Sequence, residues 1–267
     1  MATATLNAAE RAARSAAQRR LRTRVRRLAA LDPVLARVIA ATGPCTLEPR
    51  LEQAPFESLA RAIAHQQLNG AVAARILERL VALFAPEPFP QPAQLLATPE
   101  AQLRACGFSW GKIRALRDLA EKTLAGVVPA GEELLALDDE AIVARITQVR
   151  GIGRWTVEML LMFQLGRPDV LPVDDFGVRN GFRLAHGLRK LPPPRALALH
   201  AARWAPERTL AAWYLWRAVD LHKEGKLPAP RGPRPRLRAA KKRRKAAARK
   251  AAPRKASAGK PARGATR

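Results

Sequence analysis

Only two cysteines, Cys45 and Cys106, occur among 267 residues. Two thiols cannot build a disulfide framework, and they fall short of the four ligands an iron–sulfur cluster requires. Both classes are excluded, and a reducing, intracellular setting is the simplest reading. Aromatic residues are scarce at 5%. β-Branched residues are few beside Ala, Leu and Arg, a balance that favours helix over strand. The longest apolar run, Met159-Leu160-Leu161-Met162-Phe163, is far too short to cross a bilayer. The arginine-rich start has no apolar core, so no secretory signal is read there. No His/Cys grouping shows metal-ligand spacing.

Acid is missing from the two ends. Lys226 to Arg267 holds 17 Lys or Arg and no Asp or Glu, and Met1 to Ala30 holds eight Arg against Glu10 alone. Of the net charge of +26, these ends carry all but +2. Two basic extensions on a nearly neutral body suit a polyanion reached through many phosphate contacts. The expected organisation is a basic N-terminal arm (1–28), a body (29–225) and a disordered Lys/Arg/Ala/Pro-rich tail (226–267).

The body reads as helices throughout. Asp32 is placed to cap a short helix through Ile39. Pro55 opens a long one carrying Phe56, Leu59, Ile63, Leu68 and Val72, continuing through Ile76, Leu80 and Leu83. Further helices are expected after Pro99, from Ser109 to Leu124, from Asp138 to Val149, and from Arg154 to Leu165. Three more should lie near Asp175–Ala185, Pro194–Trp204 and Arg208–Lys223. No alternating strand pattern of useful length appears, so the fold class is all-α.

Two places in this series carry chemistry. In Val149-Arg150-Gly151-Ile152-Gly153-Arg154-Trp155-Thr156, two glycines flank one apolar residue and let the chain reverse tightly between helices. The amides of the turn and of the next helix's N-terminus then point outward as a phosphate seat; a plain tight connection between helices is the other reading of the same pattern. After the following apolar helix comes Val170-Leu171-Pro172-Val173-Asp174-Asp175-Phe176. One acid at a helix start is explained as a cap, a role that fits Asp174. A second beside it has no structural need to be there.

This hairpin, followed about 20 residues later by a Pro-containing loop and an aspartate, resembles the helix-hairpin-helix DNA glycosylase superfamily. The segment Phe56-Glu57-Ser58-Leu59-Ala60-Arg61-Ala62-Ile63-Ala64-His65-Gln66-Gln67-Leu68 narrows the resemblance to the 3-methyladenine DNA glycosylase II branch. So do Cys106-Gly107-Phe108-Ser109 with Lys112, and Arg203-Trp204-Ala205-Pro206 with Arg208 and Trp216. The similarity covers about residues 29–225. The chain is expected to depart from the best-known bacterial form by the absence of an N-terminal β-domain. It also has Asn69 where Ser is usual and Met159 where that form has an aromatic pocket residue.

The resemblance implies two helical subdomains flanking an active-site cleft, and an enzyme that flips damaged, alkylated bases out of DNA and hydrolyses the glycosidic bond. It makes Asp175 the catalytic carboxylate and leaves the capping to Asp174. Trp155, Phe176, Trp216 and Met159 become candidates for the base pocket. Gly151, Ile152, Gly153, Arg154 and Thr156 become the hairpin's DNA contacts, and Gln66, Gln67 and Leu68 the segment that wedges into the duplex. His65 is expected at the surface or on a phosphate. Bifunctional relatives carry a lysine nucleophile where this chain has Trp155, so no lyase step is expected. No cofactor is required, though the family's hairpin often holds a monovalent cation on backbone oxygens, here those of Thr147, Val149 and Gly151. The expected partner is double-stranded DNA containing damaged bases, with no membrane, for a monomeric protein in the cytoplasm. Two rivals are a glycosylase for another lesion or mismatch and a non-catalytic DNA-binding hairpin protein.

Overall fold

The computed structural model describes residues 8–230 and is helical, with no strand among the described residues. Thirteen α-helices and one 3-10 turn follow in order. They are α1 (Ala8–Leu31), α2 (Pro33–Thr42), α3 (Pro55–His65), α4 (Gly70–Ala82), α5 (Pro92–Ala97), α6 (Glu100–Ala105), α7 (Trp110–Leu124), α8 (Gly131–Ala136), α9 (Asp139–Ile146), α10 (Arg154–Phe163), α11 (Phe176–Ala185), α12 (Pro194–Ala201), the 3-10 turn Ala202–Trp204, and α13 (Arg208–Lys223). The expected tail lies almost wholly outside the described residues. No described helix is long and apolar enough to cross a membrane.

The helices pack as two lobes over one continuous apolar core. The first and last parts of the chain build one lobe, in which α13 packs on α11, α2 and α1. The middle of the chain builds the other, with α7 against α3, α5 and α6, and α10 against α3 and α9. The polypeptide therefore crosses between lobes twice, through residues 43–54 and 164–175. The expected catalytic acid sits where the second crossing ends.

Several boundaries differ from the sequence reading, each for a local reason. The long helix expected from Pro55 is two. Gln66 leaves helical geometry at ψ 129, Gln67 takes a positive φ of 57, and Asn69 starts α4 by accepting a hydrogen bond from the Val72 amide. The apolar spacing runs on through Leu68 and Val72, but both are exposed. Helix α9 stops at Ile146 rather than Val149, because the hairpin turn begins there. The helix expected to reach Trp204 ends as α12 at Ala201 and tightens into the 3-10 turn. Short helices α5 and α8 were not read from the sequence at all.

Position 28 is not a break either. Helix α1 runs across it, with Leu28 fully buried and Leu21 and Val25 packed on the core. Arg24 donates to buried Glu207 at 2.6 Å. The arm is thus a helix docked through one apolar face, with Arg20, Arg22, Arg26 and Arg27 exposed.

Candidate active site

The hairpin is built from the core outwards. Val149 and Ile152 are buried, and the Ile152 amide closes the turn on the Val149 carbonyl at 3.1 Å. Between them Gly151 has φ +76, a left-handed conformation that costs little only without a Cβ. Helix α7 braces the approach to the turn. Asp118 accepts the Arg150 amide at 2.6 Å, and Lys122 donates to the Gln148 carbonyl at 2.5 Å. From the other side the Gln66 amide donates to the Gly151 carbonyl at 2.9 Å, joining the expected wedge segment to the hairpin.

Asp175 is the N-cap of α11, its Oδ1 accepting the Val178 amide at 2.7 Å. Two indoles converge on the same carboxylate. Trp216 Nε1 donates to Oδ1 at 2.9 Å, and Trp155 Nε1 donates to Oδ2 at 2.8 Å. These donors come from α13, α10 and α11, so both lobes hold one acid. Three N–H groups and a helix N-terminus fix its position and orientation.

Beside it lies a cleft of about 530 Å³ lined by Met159, Phe163, His65, Trp213, residues 46–48 and Arg50. Asp175 is not among its lining residues. The two are joined through Trp216, whose ring stacks on the lining Phe163 at 5.9 Å and 24°. Trp155, Met159 and Phe163 fall at i, i+4 and i+8 of α10, so one helix face leads from the carboxylate into the cleft.

A glycine-bounded hairpin beside a doubly braced acid has clear relatives. The family model of the HhH-GPD superfamily of base excision DNA repair proteins matches residues 60–207. The chain belongs to that superfamily. DNA-3-methyladenine glycosylase 1 of Schizosaccharomyces pombe is 42% identical over 195 residues, which cover 73% of this chain and 86% of the relative. The solved structure of the S. pombe 3-methyladenine DNA glycosylase in complex with abasic DNA has a TM-score of 0.66 at 40% identity, covering 73% of this chain and 95% of that one. A DNA-3-methyladenine glycosidase from Bacillus halodurans matches with a TM-score of 0.68 at 32% identity, covering 75% of this chain and 91% of that one.

Within this HhH-GPD chain, the structure redistributes several of the residues picked from the sequence. The cap falls on Asp175, not Asp174, which is exposed. Of the four pocket candidates Met159 alone lines the cleft; half-buried Trp216 meets it only through Phe163, and the exposed Trp155 and Phe176 lie outside its lining. Ile152 and Thr156 turn their side chains inward; Ile152 anchors the core and Thr156 lines the cleft, so only their backbones are left to meet a phosphate. Arg154 is engaged by Glu140 on α9 through both terminal nitrogens. Gln67 and Leu68 are exposed, as the wedge reading needs, while the Gln66 side chain is turned to the hairpin. His65 is exposed at the cleft lining.

Phe163 and Trp213 were not among the site residues expected from the sequence, although Phe163 continues the Trp155–Met159 stripe. Glu158 was missed as well. It is 7% exposed, with Arg154 at 3.9 Å. Burial pushes its carboxyl up to about 7; Arg154 opposes the shift, while Asp174, Glu140 and Asp175 add to it. A folded-state pKa above the unfolded value means the native state holds the proton longer. Stability should therefore fall as pH rises from about 4.5 to 7, by at most about 3 kcal/mol, and level off above. Glu158→Gln should raise Tm at pH 8 and leave it nearly unchanged at pH 4.5; thermal unfolding at the two pH values checks the sign.

Gly177 explains how Trp216 comes so close. A Cβ there would lie 2.7 Å from Trp216 Cδ1, 2.9 Å from its Nε1 and 3.1 Å from Asp175 Oδ1. A rigid indole cannot yield as a flexible chain end would. Gly177→Ala should cut single-turnover base release by about tenfold or more through misplacement, with Tm lowered, because displacing the indole outweighs the gain from a better helix former. A variant as active as wild type would mean the Trp216–Asp175 contact is dispensable.

Proposed function

We propose that this protein is a monofunctional DNA glycosylase of the 3-methyladenine type, which flips alkylated bases out of duplex DNA and hydrolyses the bond to the sugar. The observation that carries this reading is the Asp175 carboxylate, held by Trp155 and Trp216 at the edge of an aromatic-walled cleft. Breaking an N-glycosidic bond builds positive charge on the sugar. A fixed carboxylate facing that sugar stabilises the charge and can orient the attacking water. The base has to leave the stack to reach it. Alkylated purines carry positive charge, and a cation over an indole or phenyl face gains about 0.5–2 kcal/mol. The named activity of the S. pombe relative points the same way.

The absence of a lyase step rests on Trp155. Its side chain stands where bifunctional relatives place an amine, and it is bonded to Asp175. A Schiff base needs a lysine nucleophile. DNA is held through the hairpin amides, and the exposed Gln67 and Leu68 fill the vacated stack. The hairpin fits a monovalent cation in part: the Val149 and Gly151 carbonyls each accept one hydrogen bond and keep a second lone pair. Those oxygens and that of Thr147 would hold the ion and strengthen the site's pull on a phosphate. The working place is then the cytoplasm, on the chromosome.

Purified full-length protein incubated with methylated duplex DNA tests the reading. Release of 3-methyladenine or 7-methylguanine without borohydride-trapped adduct supports it. A trapped adduct would restore the bifunctional reading, and tight binding with no release would leave a DNA-binding module.

A further inference from the structure

Folding assembles a cluster that no local spacing announces. Asp32 caps α2, His186 ends α11, and His200 lies in the last turn of α12. One carboxylate oxygen and two imidazole nitrogens from them all lie within 4.8 Å of one another. Asp32 is 3% exposed, His186 5% and the His200 side chain 9%.

Hydrogen bonds fix Asp32 and His200, and ring packing fixes His186. Asp32 spends Oδ1 on the amides of Val34 and Leu35, and turns Oδ2 to Trp204 Nε1 at 2.9 Å and His200 Nε2 at 3.3 Å. His186 packs on Phe182 at 4.0 Å and meets His200 edge-on at 5.1 Å. Its Nε2 is buried with no hydrogen-bond partner. A buried nitrogen left without a partner is open to a ligand. Burial pushes the His186 pKa down to about 4, so the ring is neutral near pH 7, the form that ligates.

We propose that Asp32, His186 and His200 bind a transition-metal ion of the zinc class, which staples α2, α11 and α12 together. The 3.3 Å between His200 Nε2 and Asp32 Oδ2 suits two neighbouring ligands around a tetrahedral ion with bonds of about 2.0–2.1 Å. The Trp204 indole and the two amides then hold the carboxylate from outside. Ligation through His200 Nε2 requires the tautomer with the ring proton on Nδ1.

The surrounding charge decides the kind of metal. Asp32 is the acid that faces the pair, while Arg37 and Arg203 add positive charge around His186. Charge alone therefore does not attract a dication. Affinity has to come from imidazole nitrogen, which selects Zn²⁺, Co²⁺, Ni²⁺ or Cu²⁺ over Mg²⁺ or Ca²⁺. Position gives the staple a purpose. Helix α11 starts at the Asp175 cap and ends at His186, a span of about 15 Å. An ion there anchors the far end of the helix that presents the candidate catalytic carboxylate.

The test uses full-length protein stripped with chelator and titrated with Co²⁺, Zn²⁺ and Mg²⁺. Co²⁺ should give visible absorption saturating at about one ion per chain, with Zn²⁺ displacing it. Zn²⁺ should raise Tm and Mg²⁺ should not. His186→Phe keeps a ring against Phe182 but offers no nitrogen, and it should lose both responses. If that variant does not fold, His200→Gln, which keeps a donor toward Asp32, serves in its place. No saturable Co²⁺ absorption and no Zn²⁺ effect on Tm in the parent would overturn the proposal. So would an unchanged response in the variant, which would assign the ion to exposed His65 or His222.

Discussion

Asp175→Asn should lower single-turnover release of methylated bases by about 10²–10³-fold, the usual loss when one preorganised electrostatic group is removed. Affinity for the damaged duplex should stay close to wild type, because hairpin and wedge are untouched. The substitution separates chemistry from architecture. Asparagine is as good an N-cap as aspartate, so α11 keeps its start and Tm should barely move. With its oxygen on the Val178 amide and Trp216, the new amide would face Trp155 Nε1, donor against donor. Asp175→Ala removes the cap too and should cost about 0.5–2 kcal/mol of stability besides activity. Rapid-quench measurement of base release, with Tm recorded in parallel, distinguishes the two. Turnover at the wild-type rate in Asp175→Asn would remove the carboxylate from the reaction and leave it only as a cap.

That one residue shows how much of the site is legible before folding. A pair of acids behind Val170-Leu171-Pro172-Val173 marks a helix start with one carboxylate too many. The pair cannot say which acid caps, since both can reach a free amide. The choice falls to Trp155 and Trp216, 20 and 41 residues away in sequence, whose N–H groups both reach Asp175. The same acid then serves as cap and as candidate catalyst. The α10 stripe of Trp155, Met159 and Phe163 was readable from helical spacing. That Phe163 stacks on Trp216 was not, because the contact joins the two lobes.

Local signals were also overlooked where a stronger pattern masked them. Asn69-Gly70 is an adequate cap and start for α4, but the apolar rhythm through Leu68, Val72 and Ile76 overrode it. In α1 the arginines hid Leu21, Val25 and Leu28, which lie at i, i+4 and i+7 and dock the helix. The Asp32–His186–His200 cluster had no local signal. Its members are brought together only when α11 and α12 pack around the start of α2.

The closest backbone approach lies in the same lobe and carries the second large effect. A Cβ on Gly181 would sit 1.9 Å from the Leu215 carbonyl oxygen, 2.6 Å from its carbon and 3.1 Å from Leu215 Cα. Every obstructing atom is backbone, so no rotamer relieves the clash and α11 must move off α13 by about 1 Å. Helix propensity alone predicts that Gly181→Ala stabilises by about 1 kcal/mol. Packing predicts the opposite, a loss of about 2–4 kcal/mol, at or beyond the usual range for overpacking. Leu215 immediately precedes Trp216, and Gly181 lies on the helix that Asp175 caps. The displacement therefore also opens the Trp216–Asp175 contact, and a misplacement of this size costs about 10²-fold in rate. Chemical denaturation gives the sign of the stability change, and single-turnover kinetics well below Tm give the rate of the folded fraction. A gain in stability with full activity would mean that propensity wins and the two helices do not meet at backbone distance; a joint loss ties the packing of this glycine to the aim of the acid.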